Sequence, residues 1–317
     1  MLNSQSCKAR RASVRMACRR PVCTEKDSAA PLNSNSTRGH LRRLLLPALL
    51  GGVAIFSAAL AAGGADVPNF MGDRSAGWVP DRPTGDDFLP PPSGPGPVMS
   101  LKDRPYVPNG QGRQPTYRIA DLTNPILQPW VIERMKKAND VVLAGKVPYI
   151  AREHCWPAGV PGFTVFTRVQ PIHFIQTPTK VIIVNELNAE VRRVYLNVPH
   201  SPEPKPSWYG ESIGHYEGDE LVVDTIGLSD KTYVDNYRTP HTDQIRVVER
   251  FKLIEEGRKL QALVTVTDPG AFNTPWSALQ RWRLVDRPLV ENLCAENNLD
   301  PFGYDDSPVP QAAKPDF

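Results

Sequence analysis

From residue 163 onward the apolar residues recur with a period of two, and this constrains the fold more than anything else in the chain. Alternating or apolar runs occur at 163–169, 172–176, 180–187, 191–196, 209–216, 220–226, 246–254, 259–268, 278–285 and 288–294, with turns but no helical periodicity between them. Successive side chains of a strand point to opposite faces, so such runs mark half-buried strands. Eight to ten short strands separated by turns predict a mainly β domain. They imply an antiparallel β-barrel of lipocalin-like type, or a sandwich. A barrel also removes the exposed strand edges that invite aggregation.

Acidic residues interrupt the alternation. In Arg246–Ile254, Val247, Glu249, Phe251 and Leu253 share one face and Arg246, Val248, Arg250 and Lys252 the other. The second face is the wet one, which places Glu249 inside. In Glu220–Ile226, Asp224 sits among apolar neighbours of both parities, and Asp268 and Glu291 end or interrupt similar runs. A buried carboxylate without a partner is costly, so such groups should meet a cation, polar hydrogens or a wet cavity. Arg192 and Arg193 are adjacent, so one of them should point inward. Asp268 precedes Pro269 and also reads as a strand-end turn residue.

The rest of the chain is different. Thirteen prolines lie within 66–129, and proline removes backbone donors, so this segment reads as an extended arm rather than a packed sheet. A helix follows, with Pro129 in its first turn, apolar Val131, Ile132, Met135 and Val142, and Gly145 as its stop. The division is a leader and signal segment over 1–61, a Pro-rich arm over 62–129, a helix and barrel domain over 130–300, and an irregular tail over 301–317.

The first 43 residues carry ten Lys and Arg against two acids, which leaves the remaining chain at net −5. A mildly acidic body argues against nucleic acid as a partner. Residues 44–62 hold no charge and end in small residues, with Ala59-Leu60-Ala61 as the cleavage site, so the expected localisation is periplasmic or secreted. After cleavage no stable membrane insertion is expected. The exported part keeps two cysteines, Cys155 and Cys294, and an oxidising compartment predicts that they pair.

Several segments carry a resemblance: "CWPAGVP", "FIQTPTKVIIVNE", "WYGESIGHYEGDELVVDTIG", "PHTD", "VTDPGAF" and "CAEN". They resemble a large family of exported, functionally uncharacterised bacterial proteins marked by a W-x-G-x-S-x-G-x-W-E-G-D-x-L-V-V-D-T block. The match covers about 150–298 and departs at Tyr216, where tryptophan is common, and at "NVPH". It implies export and a β-rich domain, and no established chemistry.

No GxSxG, P-loop or GxGxxG occurs, and no HxH or HExxH spacing supports a metal site, so no cofactor is expected. The inward acids predict a polar cluster in an apolar cup that handles a small, partly apolar molecule. As a hydrolase, lyase or isomerase it needs only placed acids and bases. His241 is the candidate general acid or base, Asp224 or Glu249 orients it, and Arg193 holds an anionic or carbonyl group. His200 and Trp208 line the mouth. The alternative is a lipocalin-like periplasmic binding protein in which the same cluster orients a ligand without chemistry.

Overall fold

Eight of the ten alternating runs become strands and two do not, while a further strand arises where none is expected. The computed structural model describes residues 67–72, 76–81, 87–105, 118–146, 148, 155–165 and 170–293. The leader, the signal segment, His154, Cys294 and the tail lie outside them. The strands are β1 (Ala76–Pro80), β2 (Ile172–Gln176), β3 (Lys180–Asn185), β4 (Glu190–Leu196), β5 (Glu211–Glu217), β6 (Glu220–Ile226), β7 (Arg246–Ile254), β8 (Lys259–Thr267) and β9 (Trp276–Asp286). Each pairs with the next and β9 pairs back to β1, which closes a barrel.

The pairing is antiparallel throughout except at β4–β5, which run parallel. This corrects the all-antiparallel expectation. Parallel neighbours need the chain to cross back over the strand's full length, which takes a dozen or more residues. Residues 197–210 between the two strands make that return with no regular structure of their own. Gly214 permits the close approach, because a Cβ there would lie 2.8 Å from both Val194 Cγ1 and the Val222 carbonyl oxygen.

β1 corrects the reading of the arm as unpaired. Trp78 is buried, donates its indole N–H to the Phe70 carbonyl at 2.8 Å, and brings β1 into register with β9 from Ala76↔Asp286 to Pro80↔Trp282. Pro80 closes the strand, where its missing N–H costs least. Two expected strands fail. Gly162–Val165 forms one turn of helix, α2, and the rest of that run lies outside the described residues. Residues 288–293 form no strand, and Glu291 is exposed. Glu186 holds this segment instead, through an ion pair with Arg287 and a hydrogen bond from the Val290 N–H.

Helix α1 (Pro129–Leu143) matches expectation, with proline in its first turn and Gly145 beyond its end at φ 73°. Its buried face is Val131, Met135 and Asn139, and the Asn139 amide bonds both backbone groups of Ala120. The helix is thereby tied to the arm. Inside the barrel the aromatic rings pack in sequence. Phe70 meets Phe174 at 5.5 Å, Phe174 meets Phe251 at 5.7 Å, and Phe251 meets Trp282 at 6.2 Å between centroids. The cup that the sequence suggests is filled by side chains at this level.

Candidate functional site

The parallel seam is short. Only Val194↔Ser212, Tyr195↔Ile213 and Leu196↔Gly214 join β4 to β5, so residues 190–193 of β4 have no partner on that side. The returning crossover stands off from them and leaves a cleft of about 640 Å³. Its lining mixes aromatic and charged groups, chiefly Tyr195, Trp208 and Tyr209 with Arg193, Lys205 and Glu211.

Arg192 and Ser212 form its floor. Arg192 is 1% exposed and faces the barrel interior with Val194 and Leu196, whereas Arg193 is exposed on the outer face. Arg192 Nη2 lies 2.5 Å from Glu249 Oε2 and donates to Thr225 Oγ1 at 2.8 Å, while Nε donates to Ser212 Oγ at 3.2 Å. The Ser212 and Thr225 hydroxyls bond each other at 2.8 Å. Arg192 Nη1 and Glu249 Oε1 are sealed from solvent and have no hydrogen-bond partner among the described residues. A buried ion pair of this kind needs its remaining groups satisfied to recover the desolvation it costs.

The first residue of β4 is a second, half-buried carboxyl. Glu190 stands beside the Tyr209 hydroxyl and the Ala158 backbone N–H, and its Oε2 is closed to solvent with no hydrogen-bond partner among the described residues. Burial outweighs the pull of both groups and pushes this carboxyl up to about 7. The same burial, with the Glu190 charge beside it, pushes the Tyr209 phenol well above its usual range. Edge-on packing against Phe163 at 5.6 Å fixes the Tyr209 ring, and Trp156 packs on Trp208 at 5.4 Å.

An outer network holds the crossover to the wall. His200 Nδ1 lies 2.9 Å from Glu211 Oε1, and its Nε2 lies 3.5 Å from Asp224 Oδ2. Asp224 in turn accepts two hydrogen bonds from Arg246, at 2.9 and 2.6 Å. Ser201 donates to Glu211 through both its hydroxyl and its backbone N–H. With His200, these bonds hold that carboxyl below its usual range.

The residues expected to share one cavity are therefore divided. Cross-strand register pairs Val223 with Glu249 and Asp224 with Val248, so the two carboxylates lie on opposite faces of the wall. Glu249 is inside with Arg192, while Asp224 is outside with Arg246 and His200. Arg193 and Trp208 line the cleft, and His200 stands behind its Glu211 edge. His241 joins none of them. It is 2% exposed, donates from Nδ1 to the Thr242 carbonyl at 2.8 Å, and meets the Thr232 hydroxyl through Nε2 at 2.7 Å. Burial lowers its pKa below the ordinary imidazole range. Asp268 is the turn residue, accepting from the Thr242 and Gly270 backbone and the Thr242 hydroxyl.

Sequence reasoning missed Glu190, Tyr209 and Arg192. For Arg192 a signal exists, because it shares strand parity with aliphatic Val194 and Leu196, whereas Arg193 shares it with Tyr195. For Glu190 and Tyr209 none exists, since eighteen residues, most of them in the crossover, separate them. Among the described residues no group of three or more His, Cys, Asp or Glu is placed to hold a metal ion. No protein-family model matches the chain, and no curated protein is similar enough to count as a relative.

Proposed function

We propose that this chain is an exported protein that binds a small, partly apolar molecule in the cleft at the parallel seam. The observation that carries the reading is the cleft itself. It is a concavity of about 640 Å³ with aromatic walls and a few placed polar groups, formed where barrel pairing lapses. Arg193 and Lys205 line it, and neither has an ion-pair or hydrogen-bond partner among the described residues. Trp208 and Tyr195 supply flat apolar surface. Calorimetric titration with a panel of small aromatic compounds tests the reading. Micromolar to millimolar binding lost in Trp208→Ala supports it, and binding untouched by that change removes the cleft from consideration.

A catalytic reading rests on Glu190 and Tyr209. A carboxyl held near neutrality beside a phenol is suited to proton transfer without a cofactor. Turnover of small esters or enolisable ketones that disappears in Glu190→Gln favours a hydrolase or isomerase over a binding protein. His241 is ill placed for either role, because both of its ring nitrogens are engaged in a buried loop.

Export and the crosslink belong to the same reading. The mature chain starts near Ala62, which N-terminal sequencing of periplasmic protein checks. An intact leader in the membrane fraction contradicts it. The Cys155–Cys294 disulfide closes a loop of about 140 residues, worth at most roughly 4–5 kcal/mol. A thiol assay on unfolded, unreduced mature protein then finds no free thiol, and two titratable thiols refute the crosslink.

A further inference from the structure

The open edge of β4 has a defined hydrogen-bonding pattern. The Leu196 N–H donates to the Thr179 carbonyl on the β3 side, and the Asn197 N–H donates to the Gly214 carbonyl on the β5 side. Successive residues of a strand turn their backbone groups to opposite sides. Even-numbered residues of β4 therefore serve β3, and Val191, Arg193 and Tyr195 face β5. Pairing with β5 begins only at Val194↔Ser212, so the Val191 N–H and C=O and the Arg193 N–H have no backbone partner among the described residues. Both residues line the cleft.

The crossover does not fill this edge. Gly210 turns away at φ 62°, and a Cβ there would lie 2.4 Å from the Ile226 carbonyl oxygen, so glycine is required at the turn. Ser207 is committed on the far side, where its N–H donates to the Gly227 carbonyl at 3.0 Å and its carbonyl accepts from the Ser229 N–H at 2.9 Å. The charges around the edge favour an anion. Arg192 is held by Glu249, and Glu211 by Ser201 and His200. That leaves Arg193 and Lys205 against Glu203.

Resting on the cleft as a ligand site, we infer that its ligand is a short extended peptide with a free C-terminal carboxylate, which adds to the edge of β4 as a strand. It runs in the direction of β5, along the stretch that the turn at Gly210 leaves open. One peptide residue donates its N–H to the Val191 carbonyl and accepts from the Arg193 N–H. The peptide carbonyl two positions earlier accepts from the Val191 N–H. The bridging residue stands opposite Arg192 and is small, because its side chain turns toward the barrel interior. Its neighbours turn outward as Arg193 and Tyr195 do, and an apolar one meets Tyr195 and Trp208. The terminal carboxylate follows the last backbone bond and meets Arg193 and Lys205.

The test is calorimetric titration of the protein with acetyl-phenylalanyl-alanyl-valine and with versions N-methylated at alanine or at phenylalanine. The alanine N–H is the one that meets Val191, whereas the phenylalanine N–H points away from β4. Methylation at alanine weakens binding about tenfold, and methylation at phenylalanine leaves it within about twofold. Loss at neither position, or equal loss at both, overturns strand addition. Val191→Pro removes the Val191 donor and keeps the β3 ladder, because that N–H faces away from β3, and it weakens the parent peptide about tenfold. The methylated peptides decide the matter if this variant folds poorly. The C-terminal amide binds about tenfold more weakly than the acid, and Arg193→Gln removes most of that difference. An amide as tight as the acid overturns the carboxylate. Peptides that fail to bind at millimolar concentration, while small aromatic compounds bind and are lost in Trp208→Ala, overturn the peptide and leave the cleft standing. If neither class binds, or if binding survives Trp208→Ala, the cleft reading falls with it.

Discussion

The barrel wall has two regions of opposite character. Nine residue pairs join β7 to β8 and eight join β8 to β9, whereas three join β4 to β5. Along β8 the pattern is unbroken, with Leu260, Ala262, Val264 and Val266 fully buried. Along β4 the inward positions pass from Arg192 to Val194 and Leu196, and the strand begins at a half-buried Glu190. A hairpin zips its strands from the turn outward, so every backbone group finds a partner. A parallel return arrives from a distance and leaves part of the strand edge open. At this seam the buried Arg192 and the half-buried Glu190 lie beside sparse pairing, the pattern expected when function occupies the exceptions to a consistent fold.

The comparison breaks most readily at Glu249, where the two regions meet. Glu249→Ala strands the Arg192 guanidinium in the interior and costs about 3–5 kcal/mol in urea unfolding. The double change Arg192→Met with Glu249→Leu recovers most of that loss. If the double variant is no better than the single one, the pair does more than satisfy itself.

Next in size is a pH effect peculiar to the seam. Glu190 has its folded pKa raised to about 7 from 4.5, so the folded state holds a proton that the unfolded state has given up between those values. Its stabilising contribution is complete below about 4.5 and is lost as pH rises through about 7. Urea unfolding at pH 5 and pH 8 therefore differs by roughly 2 kcal/mol more in the unaltered protein than in Glu190→Gln. Asp235, beside Asp87 at the junction of the arm and the loop after β6, is raised to about 7 by burial and then by the Asp87 charge. It acts in the same direction and remains in both proteins. An identical pH slope in Glu190→Gln would show that Asp235 carries the effect.

Smallest is the outer network. Asp224 is 18% exposed and its partner Arg246 is 58% exposed. Asp224→Ala therefore costs below about 1 kcal/mol, in contrast with the buried Glu249 one register step away. A loss of 3 kcal/mol or more would mean that Asp224 secures the crossover, and through it the cleft.

Much of the architecture is legible in the residues alone, and the limits of that legibility have a physical cause. Alternation in Arg246–Ile254 and Lys259–Thr267 assigns each side chain to a face, because the strand period is two whatever the neighbour. This is why Glu249 reads correctly as buried. The same local rule recovers α1 from its proline, its apolar stripe and Gly145. It is silent on which strand lies alongside, and in which direction. The parallel pairing of β4 with β5 depends on the path taken by residues 197–210, and the closure of the barrel by β1 depends on Trp78 finding a site beside β9. A short strand among thirteen prolines gains its order from that tertiary contact, with little local preference to announce it. Asp224 shows the division most clearly. Val222 and Ile226, which share its parity, are both apolar, yet register with Val248 turns it outward to Arg246 and His200. The carboxyl pushed up toward neutrality is Glu190, brought to Tyr209 by the crossover, because burial is a property of the assembled wall and strand periodicity is a property of the chain.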